Sequence, residues 1–67
     1  MIEITLNGQR RQVEPGLSLE TLLARLELPL ARVAVERNRQ VVPRSRYSAE
    51  PVEPGDRIEV VTLVGGG

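Results

Sequence analysis

Apolar and polar residues alternate from the start of the chain: Ile2, Ile4 and Leu6 are interleaved with Glu3, Thr5 and Asn7. A period of two predicts a half-buried β-strand. Asn7-Gly8 follows at once, a dipeptide whose two residues tolerate positive φ, and predicts a two-residue hairpin turn. The return strand, Gln9 to Glu14, then sets Val13, Arg11 and Gln9 opposite Ile2, Ile4 and Leu6. Only its far end is strongly apolar, which predicts an edge strand whose arginines discourage further pairing.

Pro15-Gly16 breaks the strand, and the period changes. Leu19, Leu22, Leu23 and Leu26 recur at i, i+3, i+4 and i+7, one apolar stripe on a short helix that reads as core. Ser18 is placed to cap its N-terminus. Glu20 suits the positive end of the helix dipole. Leu17 is set to pack on Leu22 as a hydrophobic staple. Pro29, which cannot continue the hydrogen-bond ladder, is expected to stop the helix.

Arg32 to Glu36 carries Val33 and Val35 on one face and predicts a third strand, with Arg37-Asn38-Arg39 as the turn and Gln40-Val41-Val42 as a short fourth strand. Pro43 to Tyr47 suits a single helical or 3-10 turn, and Pro54-Gly55-Asp56 is a turn by composition. The last strand, Arg57 to Leu63, alternates Ile58, Val60 and Thr62 with Arg57, Glu59, Val61 and Leu63. The order β-β-α-β-β-β predicts an α+β protein, a mixed four- to five-stranded sheet packed on one helix. That is the β-grasp, or ubiquitin-like, arrangement. The first and last strands are the most apolar and are expected as parallel neighbours at the sheet centre. One domain is expected over residues 1–64, with 65–67 as a flexible C-terminal glycine tail.

Composition narrows the function. At 67 residues the chain makes one domain at most, and a core of that size supplies only about 3–5 kcal/mol. A buried catalytic pocket has little room, so an enzyme is not expected. Nine arginines balance nine acidic residues, without the basic excess of a nucleic-acid binder. Tyr47 is the only aromatic residue, which removes the stacking platforms used on single strands. Cys and His are absent, so disulfides, thiolate or zinc sites and His-based catalysis are excluded. The apolar runs are far shorter than a membrane span and no leader pattern is present. A cytoplasmic protein without membrane or nucleic-acid partners is expected. Every basic residue is Arg and none is Lys. Base composition or adaptation to heat accounts for that. So does a chain whose own carboxylate becomes activated and must meet no lysine amines.

Few residues offer chemistry. The Ser, Thr and Tyr hydroxyls have no His, Cys or Lys to activate them, and Glu50 and Glu53 sit in a loop without a catalytic setting. The exception is Gly65-Gly66-Gly67. Terminal glycines are often no more than a frayed end. Directly after the last strand of a β-grasp domain, however, they form an arm without Cβ atoms, able to thread a narrow channel and present a carboxylate to a nucleotide. Adenylation makes that carboxylate an electrophile, and sulfide delivered to it leaves a thiocarboxylate. Beside the arm, Val61 and Leu63 share the outward face of the last strand and continue toward Val64, a candidate docking surface, unless a loop or sheet edge covers it. Arg37, Arg39, Arg44 and Arg46, followed by Glu50, Glu53, Asp56 and Glu59, read either as a solvated face or as an electrostatic guide for a partner.

Val35-Glu36-Arg37-Asn38, Val41-Val42-Pro43-Arg44 with Tyr47 after it, the Pro54-Gly55-Asp56 turn and the ending Leu63-Val64-Gly65-Gly66-Gly67 together closely resemble the thiamine-biosynthesis sulfur carrier family, ThiS. The resemblance spans the chain. It implies that Gly67 is adenylated by an ATP-dependent adenylyltransferase related to the ubiquitin-activating enzymes, with Gly65 and Gly66 in the partner's channel. It also implies that sulfur from a cysteine desulfurase persulfide replaces AMP, and that the thiocarboxylate supplies thiazole synthase. No permanently bound cofactor is implied; ATP is used by the activating partner. Three other readings share parts of this pattern: the small subunit of molybdopterin synthase, a ubiquitin-like protein modifier, and an interaction domain with an inert tail. The first tends to be longer and richer in aromatic residues.

Overall fold

Five strands form one mixed sheet: β1 (Ile2–Leu6), β2 (Gln9–Val13), β3 (Val33–Arg37), β4 (Gln40–Val42) and β5 (Arg57–Thr62). Their spatial order is β2-β1-β5-β3-β4. The computed structural model describes residues 1–63. One helix, α1 (Leu19–Arg25), packs across the sheet, and 3-10 turns occupy Leu30–Arg32 and Arg44–Ala49.

The β1–β2 hairpin has the register expected from its alternation, with Ile2, Ile4 and Leu6 opposite Val13, Arg11 and Gln9. Asn7 and Gly8 both have positive φ, as the tight primed turn requires. The second hairpin turns on Asn38 and Arg39, also both at positive φ, although neither is glycine. β1 and β5 lie side by side and parallel at the centre, and β2 is an edge strand, as the pattern predicts.

The helix begins as expected and ends differently. The Ser18 hydroxyl oxygen accepts a hydrogen bond from the Thr21 amide at 3.1 Å. At the other end, Pro29 is not the stop. The helix closes at Arg25 because Glu27 adopts φ of 59°. The Glu27 amide then donates to the Ala24 carbonyl and the Leu28 amide to the Leu23 carbonyl, the paired bonds of a Schellman cap. Glycine normally marks this position, so a glutamate there leaves no sequence signal.

The core joins Ile4 and Leu6 of β1, Leu19, Leu22 and Leu23 of α1, Val33 and Val35 of β3, and Ile58 and Val60 of β5. Leu17, Tyr47 and Val52 complete it from the loops. The segment at Pro51 is tied to the helix entry by the Leu19 amide on the Glu50 carbonyl and the Val52 amide on the Leu17 carbonyl. Those bonds carry Tyr47 and Val52 inward and close the open side of a core that the four elements alone would not seal.

Candidate functional site at the end of the last strand

The chain leaves the sheet at the end of β5, and both sides of that strand are held there. On one side β3 pairs along it from Ile58 to Thr62, and the Leu63 amide donates to the Arg32 carbonyl at 2.7 Å. On the other side β1 ends at Leu6, pairing only as far as Ile58. The Asn7 side chain continues the ladder where the backbone turns away. Its Oδ1 accepts from the Val60 amide at 2.8 Å and its Nδ2 donates to the Val60 carbonyl at 3.2 Å. One residue thus serves the hairpin turn and lengthens the grip on β5 by a further rung. Asn-Gly announces the turn; nothing local announces the second task.

Val61 and Leu63 stand outward at this end, 57% and 53% exposed, and no loop among the described residues covers them. Val64, Gly65, Gly66 and Gly67, which complete the candidate docking face and tail, lie outside the described residues. On the same face, across β5, β3 and β4, Glu59 is opposite Glu36 and Glu36 is opposite Val41. Ala34 is opposite Val61. Locating these pairs needed the β3–β5 register, which strand patterns alone leave open.

The charged segment is only partly a solvated face. Arg37, expected in the exposed cluster, has its side chain only 18% exposed, donating from Nη2 to Glu50 Oε1 at 2.9 Å with Nε 3.6 Å from Asp56 Oδ2. Arg46 holds the second Glu50 oxygen, at 2.9 Å. Asp56 is buried; its carboxylate accepts from the Glu53 amide and from Asn38 Nδ2. Asn38 Oδ1 in turn accepts from the Arg57 amide. This network fastens the second hairpin turn to the start of β5. It belongs to the fold at the end of the sheet opposite to Leu63.

Among the described residues, the two best-formed concavities do not form an active site around the chain's exit. A shallow hollow of about 360 Å³ is lined by Arg37, Val41, Val42, Pro43, Arg46 and Glu50, beside the Arg37–Ile58 end of the sheet. A second, of about 210 Å³, lies between β2 and α1 against Val13, Leu17, Leu22 and Leu26. Among the described residues no three carboxylates gather as a metal ligand set would need. Tyr47 has a shifted titration. Burial pushes its phenol above its usual value, and the Arg44 charge and the Val35 backbone offset that only in part. It is a core residue, 3% exposed. No helix among the described residues is long and apolar enough to cross a membrane.

With this geometry in place, similarity to known proteins is informative. The family model described as "ThiS family" matches residues 4–67, from the middle of β1 through the three glycines. A thiazole synthase of Magnetococcus marinus is 46% identical over 66 residues, which are 98% of this chain. The chain spans only 20% of the length of the thiazole synthases it matches. The sulfur carrier protein ThiS of Escherichia coli is 32% identical over 98% of this chain and 100% of its own. In three dimensions, the crystal structure of the thiamine biosynthesis protein ThiS from Geobacter metallireducens superposes with a TM-score of 0.84 at 33% identity, covering 98% of this chain and 100% of that one. The β-grasp arrangement is therefore shared with a solved relative, and the match runs through the fold and the glycine segment alike: this chain belongs to the ThiS family.

Proposed function

We propose that this chain is a sulfur carrier of thiamine biosynthesis that works through the carboxylate of Gly67. The observation that carries the reading is the extent of the family match, which includes Gly65, Gly66 and Gly67 as well as the sheet. The described residues supply a scaffold with a held strand end and an open face beside it, rather than a pocket with a nucleophile and a base. Such a protein is a co-substrate of other enzymes.

In the proposed sequence the Gly67 carboxylate attacks the α-phosphate of ATP on an adenylyltransferase, and pyrophosphate leaves. The outer sulfur of a persulfide, formed by a cysteine desulfurase, attacks the acyl carbon and AMP departs. This leaves an acyl disulfide whose S–S bond a thiol then cleaves, the thiol being oxidised to a disulfide. The product is a C-terminal thiocarboxylate. Thiazole synthase is the proposed acceptor, because relatives with that name contain a stretch similar to nearly the whole of this chain. The carrier needs no bound cofactor of its own. It acts in the cytoplasm, where ATP and the desulfurase are available.

Intact-mass analysis of the chain, incubated with the adenylyltransferase, ATP, the desulfurase and cysteine, tests this. Replacement of one oxygen by sulfur is expected, with fragmentation placing it on Gly67 and not on Met1, where oxidation would mimic it. Deleting Gly66 and Gly67 is expected to abolish loading and leave the melting temperature unchanged. A truncated chain that still loads, or a sulfur located elsewhere, refutes the proposal.

A further inference from the structure

The open face of the sheet carries a feature that folding does not explain. Glu36 on β3 and Glu59 on β5 are directly opposite each other. The Asn38 amide bonds the Arg57 carbonyl and the Leu63 amide bonds the Arg32 carbonyl, which fixes the alternation. It makes Glu36 and Glu59 a hydrogen-bonded pair, with Cα atoms about 5.5 Å apart. Both side chains are exposed, and neither enters an ion pair among the described residues. Like charges in this arrangement oppose sheet formation. Elsewhere Glu50 has two arginines and Glu14 and Asp56 one each, and other unpaired carboxylates, Glu3, Glu20, Glu27 and Glu53, do not stand directly opposite one another in the sheet.

On the side toward the tail the surface around the two carboxylates is apolar, whereas the exposed Arg57 stands next to Glu59 on the other side. Val41, 71% exposed, flanks Glu36, and Val61 and Leu63 follow Glu59 along and beyond β5 toward the tail. An acidic centre with an apolar border fits a protein surface that offers a guanidinium or ammonium among apolar side chains. A phosphate backbone or an anionic membrane would be repelled by the same pair. A second copy of this chain, docked face to face about a two-fold axis, would bring four carboxylates together.

We propose that this face is a docking surface for a protein partner presenting an Arg or Lys side chain, which seats between Glu36 and Glu59 while apolar neighbours cover Val41, Val61 and Leu63. The identity of that partner rests on the carrier reading: it is an enzyme that works on the tail. The cation relieves the repulsion stored across β3 and β5 only in the complex, so the pair favours binding over the free carrier. Opposite charges also speed encounter and make it sensitive to salt.

The test is titration of the chain against the purified adenylyltransferase and thiazole synthase of the same organism, at several salt concentrations. The double variant Glu36→Gln, Glu59→Gln is compared with wild type and with the control Glu20→Gln, Glu27→Gln, which removes the same charge from the helical side. The double variant is expected to bind at least one enzyme more weakly by about tenfold or more, to lose most of its salt dependence, and to melt no lower than wild type. The control is expected to bind as wild type does. Binding of both enzymes within about twofold of wild type, with unchanged salt dependence, overturns the inference. So does a wild-type chain that binds neither enzyme, or one that dimerises through this face. Sulfur loading, read by mass on the same samples, separates the two proposals. Selective loss of binding by the double variant with no loading of wild type sinks the carrier reading alone, and normal loading with unaltered binding sinks the surface alone.

Discussion

Replacing Asn7 by glycine keeps the backbone of the first turn and deletes only the amide that lengthens the sheet. Glycine accepts the φ of 48° found at Asn7 without strain, so the hairpin should persist. What disappears is a pair of hydrogen bonds to the Val60 backbone, at 2.8 and 3.2 Å. Each contributes about 0.5–1.5 kcal/mol net, so together they contribute roughly 1–3 kcal/mol. Relief of left-handed strain, about 1 kcal/mol, is offset by the greater entropy of an unfolded glycine, about 0.5–1 kcal/mol. The expected loss is therefore about 1–3 kcal/mol, a substantial share for a domain of this size. Urea unfolding with an unchanged slope would measure it. Amide exchange would locate it: the Val60 amide should exchange much faster in the variant, while the Asn7 amide, bonded to the Ile58 carbonyl, should not. A variant within about 0.5 kcal/mol of wild type, or one whose Val60 amide stays protected, would show that β3 alone holds the end of β5.

Other consequences are equally open to measurement. Glu27→Gly should stabilise the domain slightly, by up to about 1 kcal/mol, because it removes a side chain from left-handed backbone at the helix cap; a lower melting temperature would count against the cap described. Asp56→Ala strands the Glu53 amide and Asn38 Nδ2 and takes a partner from Arg37. A loss of about 3 kcal/mol or more is expected by chemical denaturation, and a change under 1 kcal/mol would make the network ornamental. For Tyr47 the folded-state value is raised above 10.0, so the folded chain holds that proton more tightly than the unfolded one. Its contribution is complete below the unfolded value and is lost as pH rises through the folded one. Because Tyr47 is the only tyrosine, ultraviolet titration of the native protein should give a midpoint above that of the urea-unfolded chain; coincident midpoints would place the ring in solvent.

Much of this molecule was readable from local pattern, because its signals are local. Alternation in β1 and β5, the Asn7-Gly8 turn and the leucine stripe each depend on neighbours a few residues apart, and each determined an element and the face it buries. The family resemblance likewise rested on contiguous segments and extended to the glycine tail, a covalent feature that needs no fold to be read. Helix termination was not legible. Pro29 is a strong breaker, but the Schellman cap closed the helix before it, and a glutamate in left-handed backbone has no compositional mark.

What only the tertiary structure decided are relations between distant residues. Asn7 became a rung on β5 because β1 and β5 run parallel, and Arg37 became an interior ion-pair partner because the second hairpin folds against Glu50 and Asp56. Glu36 and Glu59 met because β3 and β5 adopted one antiparallel register among several that their alternation would allow. The physical reason is common to all three. Periodicity determines which face a side chain takes, whereas the choice of partner across a strand pair depends on packing the whole core once, and only the folded chain makes that choice.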